Sequence, residues 1–218
     1  MNVPKMQPVP ASPAASPPRR GRPRSFDVDA VTASALRVLW RRGYDATSID
    51  DLVDATGLSP SSLYGTYGSK RGIFDAALER YDRDMDAVLG PLAHGPGGID
   101  DVVGFLDRIR PFVAATDSPG CFMINTTTEV AARDPDVAER TRRYRERIRS
   151  SLRAALVRAA TSHEIEASTV DDRARLVQAS LFGALVAARG GASDEALDAL
   201  DGLRREVQRW RRKAPSNG

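Results

Sequence analysis

The sequence predicts an all-α fold, with a three-helix head that holds a helix-turn-helix near its N-terminal end and a larger helical domain behind it. Three observations carry this. Apolar residues recur at three- and four-residue spacing along most of the chain, the period of one helix face. Helix-starting and helix-stopping residues punctuate that pattern, most densely between Thr47 and Lys70. A breaker cluster, Gly90-Pro91 and then His94-Gly95-Pro96-Gly97-Gly98, separates the first four predicted helices from the rest.

The first helix starts at a cap, Asp27 or Asp29, and runs to Arg42 with Val31, Ala35, Val38 and Leu39 inward. Arg41 and Arg42 sit at its negative end, and Gly43 stops it. Trp40, on a helical stripe, reads as core rather than as an aromatic on the outer face. Thr47 then forms a capping box with Asp50. Ile49, Leu52 and Val53 make one apolar stripe, and Gly57 ends the second helix as a residue able to take φ > 0. Only Leu58 intervenes before Ser59, an N-cap, and Pro60, whose missing N–H costs nothing at the first helical position. In the short third helix Leu63 and Tyr67 turn inward together, leaving Ser61, Ser62, Tyr64, Gly65 and Thr66 on the other side. Gly68 closes it, and Ser69 caps a fourth helix that begins at Lys70.

Helix, glycine turn and short second helix form the layout in which the second helix enters a DNA major groove by its N-terminal end. An ordinary helical hairpin in a bundle would share the caps and glycines. The residues go further: Gly43-Tyr44, Ala46-Thr47-Ser48-Ile49-Asp50-Asp51-Leu52, Gly57-Leu58-Ser59 and Leu63-Tyr64-x-x-Tyr67-x-Ser69-Lys70 closely resemble the signature of the TetR/AcrR family of bacterial transcriptional regulators. The match runs from about Phe26 to Leu78. Tyr67 stands where the family more often has Phe, and Gly65-Thr66 where it often has a bulky or basic pair.

By this resemblance Thr47 and Lys70, with Tyr64 or Thr66, would bind phosphate. Ser59, Pro60, Ser61, Ser62, Tyr64, Gly65 and Tyr67 belong to the DNA-binding segment, with Pro60, Ser61, Ser62, Tyr64 and Gly65 nearest the base edges. The implied partners are a double-stranded operator, a second copy of the chain and a small-molecule effector. The alternative is an all-helical binding or adaptor protein that keeps the fold without operator recognition.

Composition bounds the rest. The chain has 218 residues and a net charge of +3, enough length for a sizeable core. Five of its 32 basic residues (Lys5, Arg19, Arg20, Arg22, Arg24) lie in residues 1–25, which hold no acid. The remaining 27 face 29 acids, so the body is not a general polycation. Residues 1–25 are proline-rich and read as a disordered arm. Its end, Arg19-Arg20-Gly21-Arg22-Pro23-Arg24, resembles the Arg-Gly-Arg-Pro core of AT-hook minor-groove binders, with Arg20, Arg22 and Arg24 as the candidate contacts. A solvated charge run drawn to phosphates is the alternative. One cysteine, Cys121, excludes an intramolecular disulfide. No apolar run suits a membrane span or signal peptide, so a cytoplasmic protein is expected.

The fourth helix runs from Lys70 to about Leu89 with Ile73, Phe74, Ala77, Leu78, Tyr81 and Met85 on its stripe. A helix from about Ile99 to Ala115 carries Phe105 and Phe112 in an apolar load too broad for one stripe, and so is buried on more than one side. Asp117-Ser118-Pro119-Gly120 turns the chain into a helix over Cys121–Ala132 that mixes apolar bulk with Asn125, Thr126 and Glu129. Polar groups there need partners or a cavity. The Gly-Cys-x-x-x-Asn pattern resembles one branch of TetR/AcrR ligand-binding domains, which makes Phe105, Phe112, Cys121, Phe122, Asn125, Thr126 and Glu129 the candidate effector contacts. Cys121 reads as a small hydrophobe or as a redox sensor.

An Arg-dense helix from Pro135 to Ser162 reads as a solvated outer face. Two last helices, about Val170–Arg189 and Ser193–Arg212, flank Gly190-Gly191. By resemblance they pair with their copies in a second subunit, through Leu176, Ala179, Phe182, Gly183, Val186, Leu200, Leu203, Val207 and Trp210. The divisions are then an arm at 1–25, a head at 26–72, a ligand-binding and dimerisation domain at 73–213 and a tail at 214–218. His94 and His163 lack neighbours at ligand spacing, and no phosphate loop or nucleophile elbow is present. No metal, cofactor or enzymatic activity is expected.

Overall fold

A computed structural model describes residues 26–211. Its elements are α1 (Val28–Arg42), α2 (Ile49–Thr56), α3 (Pro60–Tyr67), α4 (Lys70–His94), α5 (Ile99–Val113), α6 (Phe122–Glu129), α7 (Pro135–Thr161), a 3-10 turn at Ala167–Thr169, α8 (Val170–Arg189) and α9 (Ser193–Arg209). The described residues are helical with no strand. Arg20, Arg22 and Arg24 lie outside them, as does the tail.

Of the two cap candidates for α1, Asp27 is the cap; its carboxylate accepts from the Asp29 amide at 2.8 Å. The cap of α2 is one residue later than the sequence suggests. Ser48, not Thr47, closes the capping box, with Asp51 as its partner. Thr47 is instead 1% exposed and donates its hydroxyl to the Gly43 carbonyl at 2.6 Å, tying the loop back on the end of α1. At Gly57, φ is +69°, a left-handed stop with no Cβ penalty. Leu36, Leu39, Leu52, Leu63, Ile73 and Phe74 fill the head core, all buried. Tyr67 closes it, its hydroxyl 2.8 Å from that of Thr32 on α1.

The breaker pair Gly90-Pro91 does not break α4, which runs 25 residues to His94 with Pro91 inside it. Two effects carry the helix past the missing N–H. Leu89 and Leu92 are both buried, so unwinding here would expose them. Arg158 of α7 also caps the end, donating to the carbonyls of Leu92 (2.7 Å), Ala93 (2.9 Å) and Gly97 (2.8 Å), and pairs with Asp101 at 2.8 Å. The result is one rod that packs on α1 and α3 and also on α5, α6 and α7.

The Arg-dense stretch of α7 corrects a second expectation. Arg142 and Arg143 are exposed and pair only with Glu139. Arg149 pairs with Glu146 of the same helix, and the rest turn toward neighbouring elements. Arg147 bonds to Asp82 at 2.7 Å and Asp86 at 2.8 Å, Arg140 reaches Glu79 and the Asp75 carbonyl, and Arg71 of α4 pairs with Asp134. Acids at four- and three-residue spacing on α4 thus face arginines on α7. Half-exposed pairs contribute little singly, but as a row they fix the register of the two helices.

Candidate nucleic-acid interface and cavity

Helix α3 is held by one fully buried residue, Leu63, and by the Tyr67 hydroxyl. Everything else on it faces outward or sits half exposed. Ser59, Pro60, Ser61 and Gly65 are exposed, and Tyr64 is 43% exposed, although large apolar rings normally bury. Ser62 and Thr66 are half-buried, and Thr66 donates back to the Ser62 carbonyl at 2.9 Å. Tyr67 points into the head toward Thr32 and the Val28 carbonyl, so its place in the DNA-binding set is structural. Thr47 leaves that set too, because its side chain is buried; exposed Ser48 occupies the helix start. The one-residue ambiguity hid Ser48, since Thr47/Asp50 and Ser48/Asp51 have the same spacing.

Lys70 lies at the start of α4 with its ammonium 4.7 Å from the centre of the Tyr44 ring and 3.5 Å from the Asp45 carbonyl. Together α3 and the starts of α2 and α4 present serine hydroxyls, a tyrosine and one lysine. No acid lies on the outward side of α3 itself.

Behind the head a cavity of about 220 Å³ opens between α1, α4, α5, α7 and α8, with the α6 cap Cys121 in its wall. Phe105, Phe112 and Cys121 line it as expected, and Trp40, Tyr81, Met85, Val88 and Arg108 line it unexpectedly. Trp40 packs against Tyr81 and Phe112, ring centres 5.0 and 5.4 Å away. Tyr81 donates to the Cys121 sulfur at 3.4 Å, and the Tyr144 hydroxyl lies 3.5 Å from the same sulfur. Burial pushes both phenols well above their ordinary range, so they stay neutral at any physiological pH.

The other candidate effector residues do not line this cavity. Phe122 is behind it, packed on Phe74, Tyr81 and Trp40. Asn125 is satisfied by the Pro119 carbonyl at 2.8 Å, and Thr126 is buried in α6. Glu129 faces the head: its carboxylate accepts the Asp45 amide at 2.8 Å. It also fills the space beside Gly43, where a Cβ would lie 2.6 Å from its oxygen and φ is +88°. Arg133 pairs with Asp45 next to it. These polar residues were legible as needing partners; which partners was not.

Trp40 belongs to both regions. It is a residue of α1 that walls the cavity, its indole N–H donates to the Gly120 carbonyl at 3.0 Å, and its own carbonyl accepts from Arg189 of α8 at 2.9 Å. On α8, Leu176 (49%) and Val186 (51%) are exposed, as are Ala179 and Gly183. Phe182 turns inward to the cavity instead. On α9, Leu200, Leu203 and Val207 are buried in the protomer's own core, and half-buried Trp210 is covered by Arg173, 4.7 Å away. Their apolar period reflects packing of α9 on α5 and α8.

No helix of the described residues is long and apolar enough to cross a membrane, and no group of three or more His, Cys, Asp or Glu among them could hold a metal. Residues 31–77 match the family model for bacterial regulatory proteins of the tetR family, and residues 98–202 match that of the tetracyclin repressor-like C-terminal domain. The chain is 32% identical over 187 residues to the HTH-type transcriptional repressor ComR of Escherichia coli (strain K12), covering 84% of this chain and 89% of that one. It is 28% identical over 153 residues to the regulator YezE of Bacillus subtilis (strain 168), covering 69% and 79%. Among solved structures, the TetR family regulator CifR bound to 26-bp operator DNA superposes with a TM-score of 0.71 at 27% identity, covering 85% of this chain and 98% of that one. A TetR regulator from Chloroflexus aurantiacus J-10-FL gives 0.74 at 26% identity, covering 85% and 96%. This chain therefore belongs to the TetR family of bacterial regulatory proteins and is a DNA-binding transcriptional regulator.

Proposed function

We propose that this regulator is a homodimeric repressor, released from its operator by a small molecule that occupies the cavity behind the head. Helix α3 enters the major groove by its N-terminal end, with Ser61, Ser62 and Tyr64 nearest the bases. Lys70 and Ser48 meet phosphates on either side. Phosphate contacts set the position of the head and base contacts set the site. In the dimer the exposed α8 stripe of Leu176, Ala179, Gly183 and Val186 meets its copy across a two-fold axis. Two heads then address successive major grooves, about 34–36 Å apart.

The observation that supports induction is the double membership of Trp40, which is cavity wall and α1 residue at once. A ligand that wedges Trp40 away from Phe112 acts on the helix that carries the head, and one that presses on Tyr81 acts on the α4 rod. Release requires only that the ligand bind better to the conformation with wrongly spaced heads. Neither helix needs to unfold for this.

The test is an operator recovered from random duplexes by selection, followed by titration of a small-molecule library into the complex. The expected result is at least one compound that lowers operator affinity in the wild type and has no effect in Trp40→Ala. Operator binding that no cavity ligand alters would leave a constitutive DNA-binding protein. Failure to select any operator would favour an adaptor with this fold.

A further inference from the structure

We infer that the cavity takes a flat aromatic carboxylate, held by its acid group on Arg108; this rests on the reading of the cavity as the effector site. The inference begins in the sequence pattern of α5. Phe105, Arg108, Ile109 and Phe112 fall at i, i+3, i+4 and i+7, one face of one helix, and all four line the cavity. Three are apolar. An arginine at the second position places a permanent charge where the pattern calls for another hydrophobe.

The neighbouring charges of α5 are accounted for. Arg110 is held by Asp201 of α9 at 2.8 and 2.9 Å, and Asp107 is held by Arg204 at 2.6 Å. Arg108, between them in sequence, makes no hydrogen bond or ion pair with any described residue. No aspartate or glutamate lines the cavity from α1, α4, α5, α7 or α8. The remaining polar side chains that meet there, Tyr81, Cys121 and Tyr144, are bonded to one another, and burial keeps both phenols neutral. One guanidinium is therefore the only formal charge among the lining residues, and it is exposed at the cavity's opening.

The rest of the wall selects the body of the ligand. Trp40 and Phe112 lie with their planes tilted by 30°, and Phe105 and Ile109 complete an apolar slot. Such a wall favours a planar ring system, and the volume of about 220 Å³ suits one of about two fused rings. A planar carboxylate matches the two parallel N–H bonds a guanidinium offers. The ligand enters ring first, and its acid stays at the opening where it keeps part of its hydration.

Calorimetric titration of the full-length protein with 2-naphthoate and with its neutral isostere 2-naphthamide tests this. Wild type is expected to bind the carboxylate at least ~10-fold more tightly, the scale of one charge-assisted hydrogen-bond pair. Arg108→Gln, which breaks no contact in the protein and should melt at the wild-type temperature, is expected to bind both probes equally, at the wild-type affinity for the amide. Arg108→Lys should keep part of the preference. Equal binding of both probes to the wild type, or a preference that survives in Arg108→Gln, overturns the carboxylate assignment and leaves the cavity as effector site. If neither probe binds the wild type, or if both bind as well after Ile109→Trp fills the slot, the assignment and the cavity reading fall together.

Discussion

Two helices of eight residues each, α3 and α6, are used in opposite ways. On α3 one residue, Leu63, is buried, and six of the other seven carry a hydroxyl or lack a side chain altogether. On α6, Phe122, Met123, Ile124, Asn125 and Thr126 are all buried; Asn125 bonds to the turn before it and Glu129 to the head. The first helix is a display surface held by Leu63 and the Tyr67 hydroxyl, the second a wedge buried over most of its length. Change on α3 should therefore alter recognition and spare the fold, whereas change on α6 should alter the fold or the link between cavity and head.

The largest effect expected is on α6. Phe122→Ala removes a ring packed on Phe74, Tyr81 and Trp40, and should lower unfolding free energy by about 3–5 kcal/mol, read by chemical denaturation. Next is Tyr64→Ala on α3. It should weaken operator binding by about 1–3 kcal/mol in a fluorescence anisotropy titration, with stability changed by no more than about 0.5 kcal/mol. If Tyr64→Ala destabilised as much as Phe122→Ala, the contrast between the two helices would be wrong.

Glu129→Ala strips the partner from the Asp45 amide and should cost about 1 kcal/mol. It should also blunt the response of operator affinity to an effector; Glu129→Gln, which keeps an acceptor, should not. Lys70→Met should lower the slope of log affinity against log salt by about 1, if its ammonium leaves the Tyr44 ring for a phosphate on binding.

The smallest effect expected is in acid. The amide and hydroxyl of Ser48 hold the Asp51 carboxyl below the usual range, with Arg42 adding to it; the Val137 amide and then Arg71 do so for Asp134. Groups with lowered folded-state values contribute stability above their unfolded value, near 3.9, and lose it as pH falls through the folded value. Melting temperature should thus fall below about pH 4, and Asp134→Asn should flatten that fall.

How much of this was legible depends on what each residue had to reveal. Local grammar was plain: Ser59-Pro60 opens α3, Gly57 and Gly68 close α2 and α3, and the ends of α7 and α8 fall where the caps and glycines stand. Thr47 against Ser48 was undecidable, because two overlapping capping boxes fit and only the tertiary bond from Thr47 to Gly43 chooses. Pro91 misled because its support, Arg158, comes from 67 residues away along the chain. Periodicity also gives no sign of what an apolar face meets. The α9 stripe has the period of an interface and is core, while Trp40 has the place of a core residue and also lines a cavity. Asn125 and Glu129 are polar groups that need partners on a mostly apolar helix, and those partners are the Pro119 carbonyl and the Asp45 amide rather than a ligand.

The central claim, that the exposed side of α3 is the surface that meets DNA, is tested most directly by Ser61→Glu. A carboxylate in the first turn of a helix suits its dipole, so the variant should melt at or slightly above the wild-type temperature. The same carboxylate would face the negative backbone of the duplex. Anisotropy titration against the selected operator should show binding lost in the variant, with the fold intact by melting. Wild-type affinity in a folded Ser61→Glu protein would contradict the account.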